Sequence, residues 1–439
     1  MNAIKKKILG VVNREKWLFS EGAWVFLVKL LNVGLTFLVS VAMARILGTR
    51  GFGLFTQVMA IINVIGAPTE IGLPQLMVRE TARLTEGSQW GAIRGLWQWA
   101  ATTLLTTSAV FIIGYPILRP FLGSLVKDEL HSVLVWAMLL VPLLGLNGIV
   151  SSAIRGFHKV AIAQIGEQVL MPLVFLSVAL TATYVLNVPA TPQIAIWYQV
   201  GAAVLSVVWA FTILFRVSPH QIFKAVASFQ NNEWLKSTLG LASITGMQVI
   251  NKWMSVIIVS YFVKYAELGV YRVAVQIAIL ADLGRLVMYP ILSPQIAKTF
   301  ANNDLARLQS LAKLSARLIV LVNTGIYFLF ILFGKYFVNF FYGREYKEAY
   351  LIVIILVTGQ FFDSITGASS LFLTMTGFER DTARIRFATT SLNMVLMVVF
   401  SSVWGIIGAA FAASVTLVIW NVMVWILVKR KLGISCLPI

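Results

Sequence analysis

The sequence predicts an all-α, polytopic membrane protein of about twelve transmembrane helices, arranged as two six-helix lobes related by a pseudo-two-fold axis along the membrane normal. Three observations predict it. Of the 439 residues, 59% are apolar and only 12% are charged. The apolar residues gather in stretches of about 20, the length that crosses roughly 30 Å of hydrocarbon. The lysines and arginines fall mostly between alternate stretches. A soluble domain has about a quarter of its residues charged, and so few charges could not cover the surface of a soluble chain this long. Secreted disulfide scaffolds, soluble Rossmann-type enzymes and disordered regulators are excluded.

The elements follow in chain order. Residues 1–21 form a basic interfacial segment on the cytoplasmic side. The apolar run that begins at Gly22 is longer than a signal-peptide core and lacks a small-residue cleavage site, so it reads as a retained first span. The expected spans are 22–47, 53–76, 95–116, 132–153, 162–184 and 193–215, which make the N-terminal lobe, 22–215. A polar cytoplasmic linker, 216–236, precedes the C-terminal lobe, 237–428, with spans at 237–262, 268–292, 316–341, 349–374, 385–404 and 406–428. Residues 429–439 are a cytoplasmic tail. The tightest links, 48–52 and 404–405, constrain which helices are neighbours. Prolines 68, 74, 116, 142, 172 and 290 sit in or beside helices, as kinks tolerated in membrane spans or as hinges.

The net charge of +18 would suggest nucleic acid in a soluble protein. Its distribution points elsewhere. With the N-terminus inside, 23 of the 35 Lys and Arg residues lie on the cytoplasmic side, eight lie outside and four lie deeper in helices. This asymmetry puts both termini in the cytoplasm. The positive charge then faces the anionic inner leaflet, and no nucleic-acid partner is expected. The single cysteine, Cys436, excludes an internal disulfide, and His131, His158 and His220 all fall outside the apolar stretches. There is no phosphate-binding glycine loop, metal-ligand cluster or catalytic cysteine arrangement, so neither cofactor nor metal is expected.

A faint duplication supports two lobes. A shift of 216 places Gly53-Leu54-Phe55 on Gly269-Val270-Tyr271; a shift of 221 places Gly156-Phe157-His158-Lys159 on Gly377-Phe378-Glu379-Arg380. Six helices per half is an even number, which makes the repeats parallel.

The stretch ARILGTRGFGLFTQVMAIINVIGAPTEIGLPQLMVRETARL (44–84) resembles the opening helices of the Wzx-type oligosaccharide flippases of the multidrug/oligosaccharidyl-lipid/polysaccharide (MOP) superfamily. The matching features are Gly51-Phe52-Gly53, Gly72-Leu73-Pro74 and Arg79-Glu80. SSAIRGFHKVAIAQIGEQVL (151–170) resembles the same family's passage from the fourth to the fifth helix. The resemblance implies transport, not an enzyme. It suggests alternating access that carries an undecaprenyl-type, pyrophosphate-linked oligosaccharide across the bacterial cytoplasmic membrane for O-antigen or exopolysaccharide synthesis. The implied partners are that lipid-linked cargo, H+ or Na+, anionic lipids and other polysaccharide-assembly proteins. Lipid II flippases are similar but have two further C-terminal helices, which makes a peptidoglycan precursor a weaker expectation. Two alternatives are a multidrug exporter of the same superfamily and a membrane glycan polymerase; the latter would need a long outward loop.

Charges within spans are costly and mark function or pairing. Lys29, Asn32, Thr36 and Ser40 lie on one face of the first helix, and Thr245, Gln248, Lys252 and Ser255 on one face of the seventh. Arg272 and Gln276 share a face of the eighth. Lys29, Asn32, Gln248, Lys252, Arg272 and Gln276 are therefore the candidates for a headgroup cavity between the lobes, where pyrophosphate needs charge-assisted hydrogen bonds. The competing reading of Lys29 and Lys252 is snorkelling to the surface. Asp282 lies three residues before Arg285, the spacing of a structural ion pair. Glu70 and Asp363 are the candidates for ion coupling, or they neutralise a cavity cation. Glu167 reads as an interfacial contact.

Overall fold

The computed structural model describes the backbone of residues 2–70, 72–122 and 127–438, and the side chains in those ranges except at 2–23, 122, 239–248 and 250–252. Every regular element among the described residues is helical. In chain order these are α1 (Asn2–Glu70), α2 (Leu73–Glu86), α3 (Trp90–Leu122), α4 (Asp128–Ala137), α5 (Leu140–Gly156) and α6 (Val160–Ile165). A π-helical turn, Gly166–Leu170, joins α6 to α7 (Met171–Tyr184), followed by α8 (Pro192–Val217), α9 (Gln221–Lys224) and α10 (Asn231–Phe262). The remainder are α11 (Tyr265–Leu280), α12 (Leu283–Ala301), α13 (Leu305–Phe341), α14 (Ala349–Ile365), α15 (Ser369–Met375) and α16 (Glu379–Leu432).

Among the described residues, seven helices are long and apolar enough to cross a membrane. The number rises to nine if the bent pairs α11–α12, at 45°, and α14–α15, at 50°, each make one span. The chain is an all-α, multi-pass membrane protein. The difference from twelve has a physical origin. Helices α1 and α16 each run through two of the expected spans and break at one non-helical residue, Gly48 (φ 65°) and Gly405 (φ 56°). Both breaks fall in the expected tight links, at backbone angles that glycine adopts without a Cβ clash. Of the run expected at 237–262, only Trp253–Phe262 is a described apolar helix segment.

The chain divides into two compact units, Met1–Val39 with Ile61–Ile250, and Ser40–Ala60 with Asn251–Ile439. In the first, α5 packs against α2 and α8. Its core joins Leu73, Leu76 and Met77 to Leu96, Leu104, Ile154 and Trp234. Helix α8 starts with Pro192 after Thr191, whose hydroxyl accepts from the Ile194 N–H at 3.3 Å, satisfying one of the donors a helix start leaves free. The stretch between α8 and α10 is docked on α3. Arg94 donates to the carbonyls of Phe223 at 2.8 Å and Ala225 at 2.9 Å, and the Ser228 N–H donates to the Gly91 carbonyl at 3.0 Å.

In the second unit α14 packs against α13 and α16, and α12 against α13. Its core gathers Leu292, Ile296, Leu308, Phe372, Trp420 and Val424. Specific contacts explain why Ser40–Ala60 belongs to this unit. The Tyr346 hydroxyl donates to the Ala44 carbonyl at 3.0 Å, and Arg45 donates to the carbonyls of Phe341, at 2.6 Å, and Phe340. A Cβ on Gly53 would stand 1.7 Å from the Tyr265 carbonyl oxygen, and one on Gly269 2.3 Å from that of Thr49. The two glycines that the internal duplication pairs are therefore the crossing point of two helices whose backbones touch, an approach that only small residues permit.

The segment after α16 folds back onto the same unit. Gln309 grips the Ser435 backbone at both ends, donating to its carbonyl at 2.8 Å and accepting from its N–H at 2.7 Å. Arg317 donates to the Pro438 carbonyl at 2.8 Å. Cys436 is fully buried between them, and burial pushes its thiol up to about 11 against the smaller opposing effect of a hydrogen bond with Ser369.

Candidate functional site

The first unit places the polar groups of α1 unequally. Lys29 is exposed. Asn32 is half-buried, and its amide donates to the Gln168 carbonyl at 2.7 Å. Gln168 lies in the π-helical turn Gly166–Leu170. Two of its carbonyls find side-chain donors, since Ser206 also donates to Gly166 at 2.8 Å while accepting from Asn147 at 2.9 Å. Thr36 bonds back to the Asn32 carbonyl at 2.8 Å.

Glu70 ends α1, half-buried, and a Cβ on Gly148 would lie 3.9 Å from its carboxylate. Its charged neighbour is Glu167, which also faces Arg155 on α5. Arg155 in turn donates to Ser152 at 2.6 Å. Three charges from three elements thus share one end of this unit. Arg155 was not singled out by sequence reasoning, because it stands at a span boundary among loop residues.

The side chains of Gln248, which falls in the first unit, and of Lys252, in the second, lie outside the described residues. Arg272, on α11, places its guanidinium 5.4 Å from the centre of the Trp253 ring, close enough for a cation–π contact. The phenols of Tyr342 and Tyr271 are its other electrostatic neighbours, and it makes no ion pair among the described residues. Tyr342 is held by a hydrogen bond to Ser40 at 3.3 Å. Gln276, one turn on, is buried.

Further along, Arg285 donates from Nε to Asp282 at 2.7 Å and forms an ion pair with Asp363 of α14. Asp363 is 1% exposed, and its backbone carbonyl accepts from the Thr366 hydroxyl at 3.0 Å. Thr366 in turn reaches Asn421 at 3.4 Å. The structure therefore brings Asp282, Arg285 and Asp363 together, and Tyr289 reaches Ser370 at 3.2 Å one turn away. Arg386 is the second residue that sequence reasoning did not select. It stands two turns into α16 with its guanidinium carbon 3.6 Å from the centre of the Trp420 ring. A count of basic residues per side assigns it to a loop, and only the tertiary packing sets it over an indole.

Chemically, such an arrangement can recognise a polar anion. Arginines set among aromatic rings within apolar helices keep their N–H edges available for oxyanions. No group of three His, Cys, Asp or Glu close enough to hold a metal ion occurs among the described residues.

Comparison with known proteins agrees with this fold. A sequence model of the family described as "Polysaccharide biosynthesis protein" matches residues 18–300. The chain is 22% identical over 403 residues to the "Probable low-salt glycan biosynthesis flippase Agl15" of Haloferax volcanii, covering 91% of this chain and 81% of that protein. It is 21% identical over 406 residues to the "Putative O-antigen transporter" of Shigella flexneri, covering 86% of this chain and 89% of that one. Among solved structures, an inward-facing multidrug resistance MATE family transporter of the MOP superfamily aligns with a TM-score of 0.75 at 13% identity, over 92% of this chain and 94% of that chain. The lipid II flippase MurJ, in its inward closed conformation, aligns with a TM-score of 0.71 at 14% identity, over 94% of this chain and 87% of that chain. These structures share the fold. Since the family model covers well over half of its length, the chain belongs to the polysaccharide biosynthesis protein family.

Proposed function

We propose that the chain is a flippase for a polyprenyl-pyrophosphate-linked oligosaccharide, moving it from the inner to the outer leaflet of the bacterial cytoplasmic membrane for surface polysaccharide synthesis. The transport is by alternating access of two six-helix lobes, with twelve crossings and both termini in the cytoplasm. No bond of the cargo is made or broken. Family membership and the flippase and transporter names of its relatives support this reading.

The observation that carries it is Arg272, a cation within an apolar helix whose neighbours are Trp253, Tyr271 and Tyr342. A membrane-depth cation of this kind suits a phosphorylated headgroup, with the ring faces available to stack on sugar. Lys29, Asn32, Gln248, Lys252 and Gln276 complete the proposed headgroup set. Asn32 reaches it only by giving up its bond to Gln168. Glu70 and Asp363 are the proposed sites for a coupling H+ or Na+, and anionic lipids and other assembly proteins are the proposed partners.

The fold shared with a multidrug transporter supports a second reading, an exporter of organic cations. Such cargo calls for carboxylates facing the bound cation, whereas Asp363 is engaged by Arg285. A strain lacking this gene separates the two. It is expected to accumulate lipid-linked oligosaccharide in the inner leaflet and lose surface glycan, with unchanged sensitivity to cationic drugs. Hypersensitivity to those drugs with normal surface glycan would instead establish the exporter.

A further inference from the structure

We infer that Arg386, laid over the Trp420 ring, is a subsite for a phosphate or pyrophosphate oxyanion. The cargo it would hold rests on the flippase reading above.

The basic residues at this end of the second unit are not alike. Arg384 and Lys431 both pair with Asp381, at 3.4 Å each, and Lys429 lies over the Trp425 ring. Arg386 stands seven residues after Glu379, about 10 Å along the helix at 1.5 Å per residue. It makes no ion pair among the described residues. Its charged neighbour is another cation, Arg285, and its second neighbour is Tyr289, the hydroxyl that meets Ser370. The two carboxylates nearby, Asp282 and Asp363, are both turned onto Arg285. A guanidinium stacked on an indole has one face covered and keeps its in-plane N–H donors free. Those donors form a fork that matches two oxygens of a phosphate. An oxyanion at Arg386 would also supply the counter-charge that no described carboxylate gives it.

The test uses the full-length protein in nanodiscs of neutral lipid, with farnesyl pyrophosphate as the probe and equilibrium binding as the readout. Arg386→Gln is expected to weaken binding by about tenfold or more, since a charge-assisted fork is lost. Arg386→Lys, which keeps the charge but not the fork, is expected to fall between that variant and wild type. Trp420→Phe should retain binding and Trp420→Ala should lose it. Thermal unfolding of each variant shows whether the fold is retained, and Arg386→Lys keeps the test open if Arg386→Gln is unstable. Competition by inorganic pyrophosphate, but not by phosphatidylglycerol added to the nanodisc, assigns the subsite to the phosphorylated headgroup. Displacement by phosphatidylglycerol alone would make it a general lipid contact and overturn the assignment. Wild-type-like binding by a folded Arg386→Gln protein would remove the subsite and leave the flippase reading standing. A wild-type protein that fails to bind the probe would overturn both.

Discussion

Arg272→Gln is expected to lower export of the lipid-linked saccharide by about tenfold or more while leaving the protein in the membrane at its normal level. The size follows from the loss of a charge-assisted hydrogen bond, about 1.5–3 kcal/mol, which is roughly one to two decades in a rate or affinity. The fold should tolerate the change, because Arg272 is held by a ring contact with Trp253 and makes no ion pair among the described residues, so no described carboxylate is left stranded. Arg272→Lys should retain part of the activity, since it keeps the charge and loses the planar fork. Lys252→Gln, added to Arg272→Gln, is expected to abolish what export remains. Surface glycan quantified per molecule of membrane-inserted protein is the measurement. Normal export by the double variant would remove both residues from the proposed headgroup set.

The second large effect is on stability, at Asp363. Its side chain is 2% exposed, and the Arg285 side chain facing it is 12% exposed. Deleting one member of a buried pair leaves the other uncompensated and costs about 3–5 kcal/mol. Asp363→Ala should fall at the lower end, because Arg285 keeps its 2.7 Å contact with the partly exposed Asp282. Replacing both Arg285 and Asp363 with leucine is expected to recover part of that loss, since only the partly exposed Asp282 then lacks its partner and no fully buried charge is left alone. Thermal unfolding of wild type, Asp363→Leu, Arg285→Leu and the double leucine variant, the four proteins of a double-mutant cycle, reads the coupling directly. Equal losses from independent single changes, adding without coupling, would show that the pair does not hold the helices together. A coupling role for Asp363 has a separate signature: Asp363→Asn would alter the dependence of export on the ion gradient at matched protein levels.

What the sequence could and could not show follows from the range of each signal. Apolar runs of membrane-spanning length and the small-residue links at 48–52 and 404–405 are local properties, so the helices and their breaks at Gly48 and Gly405 were legible. The duplication that aligns Gly53 with Gly269 carried tertiary information too, because both must lack a side chain for one contact. Partners distant in the chain were not legible. Helical spacing pairs Arg285 with Asp282, three residues away, and is silent about Asp363, which comes from another helix. Asn32 lies on the polar face that its spacing gives, yet its amide is spent on the Gln168 carbonyl in the π-helical turn at Gly166–Leu170. A period of 3.6 residues contains no sign of that extra residue in the turn. Arg386 was hidden for the opposite reason. It looks like one more loop cation until the packing of α16 brings Trp420 beneath it.

The most direct measurement uses proteoliposomes containing this protein alone and a fluorescent polyprenyl-pyrophosphate saccharide, with the leaflet reported by accessibility of the sugar to an impermeant reagent outside. With an ion gradient imposed, the inner-leaflet fraction is expected to become accessible in the presence of wild-type protein, to do so far more slowly with Arg272→Gln, and to stay protected in protein-free vesicles. Protection of the inner-leaflet saccharide by folded wild-type protein under every imposed gradient, alongside transport of an organic cation by the same vesicles, would contradict the account.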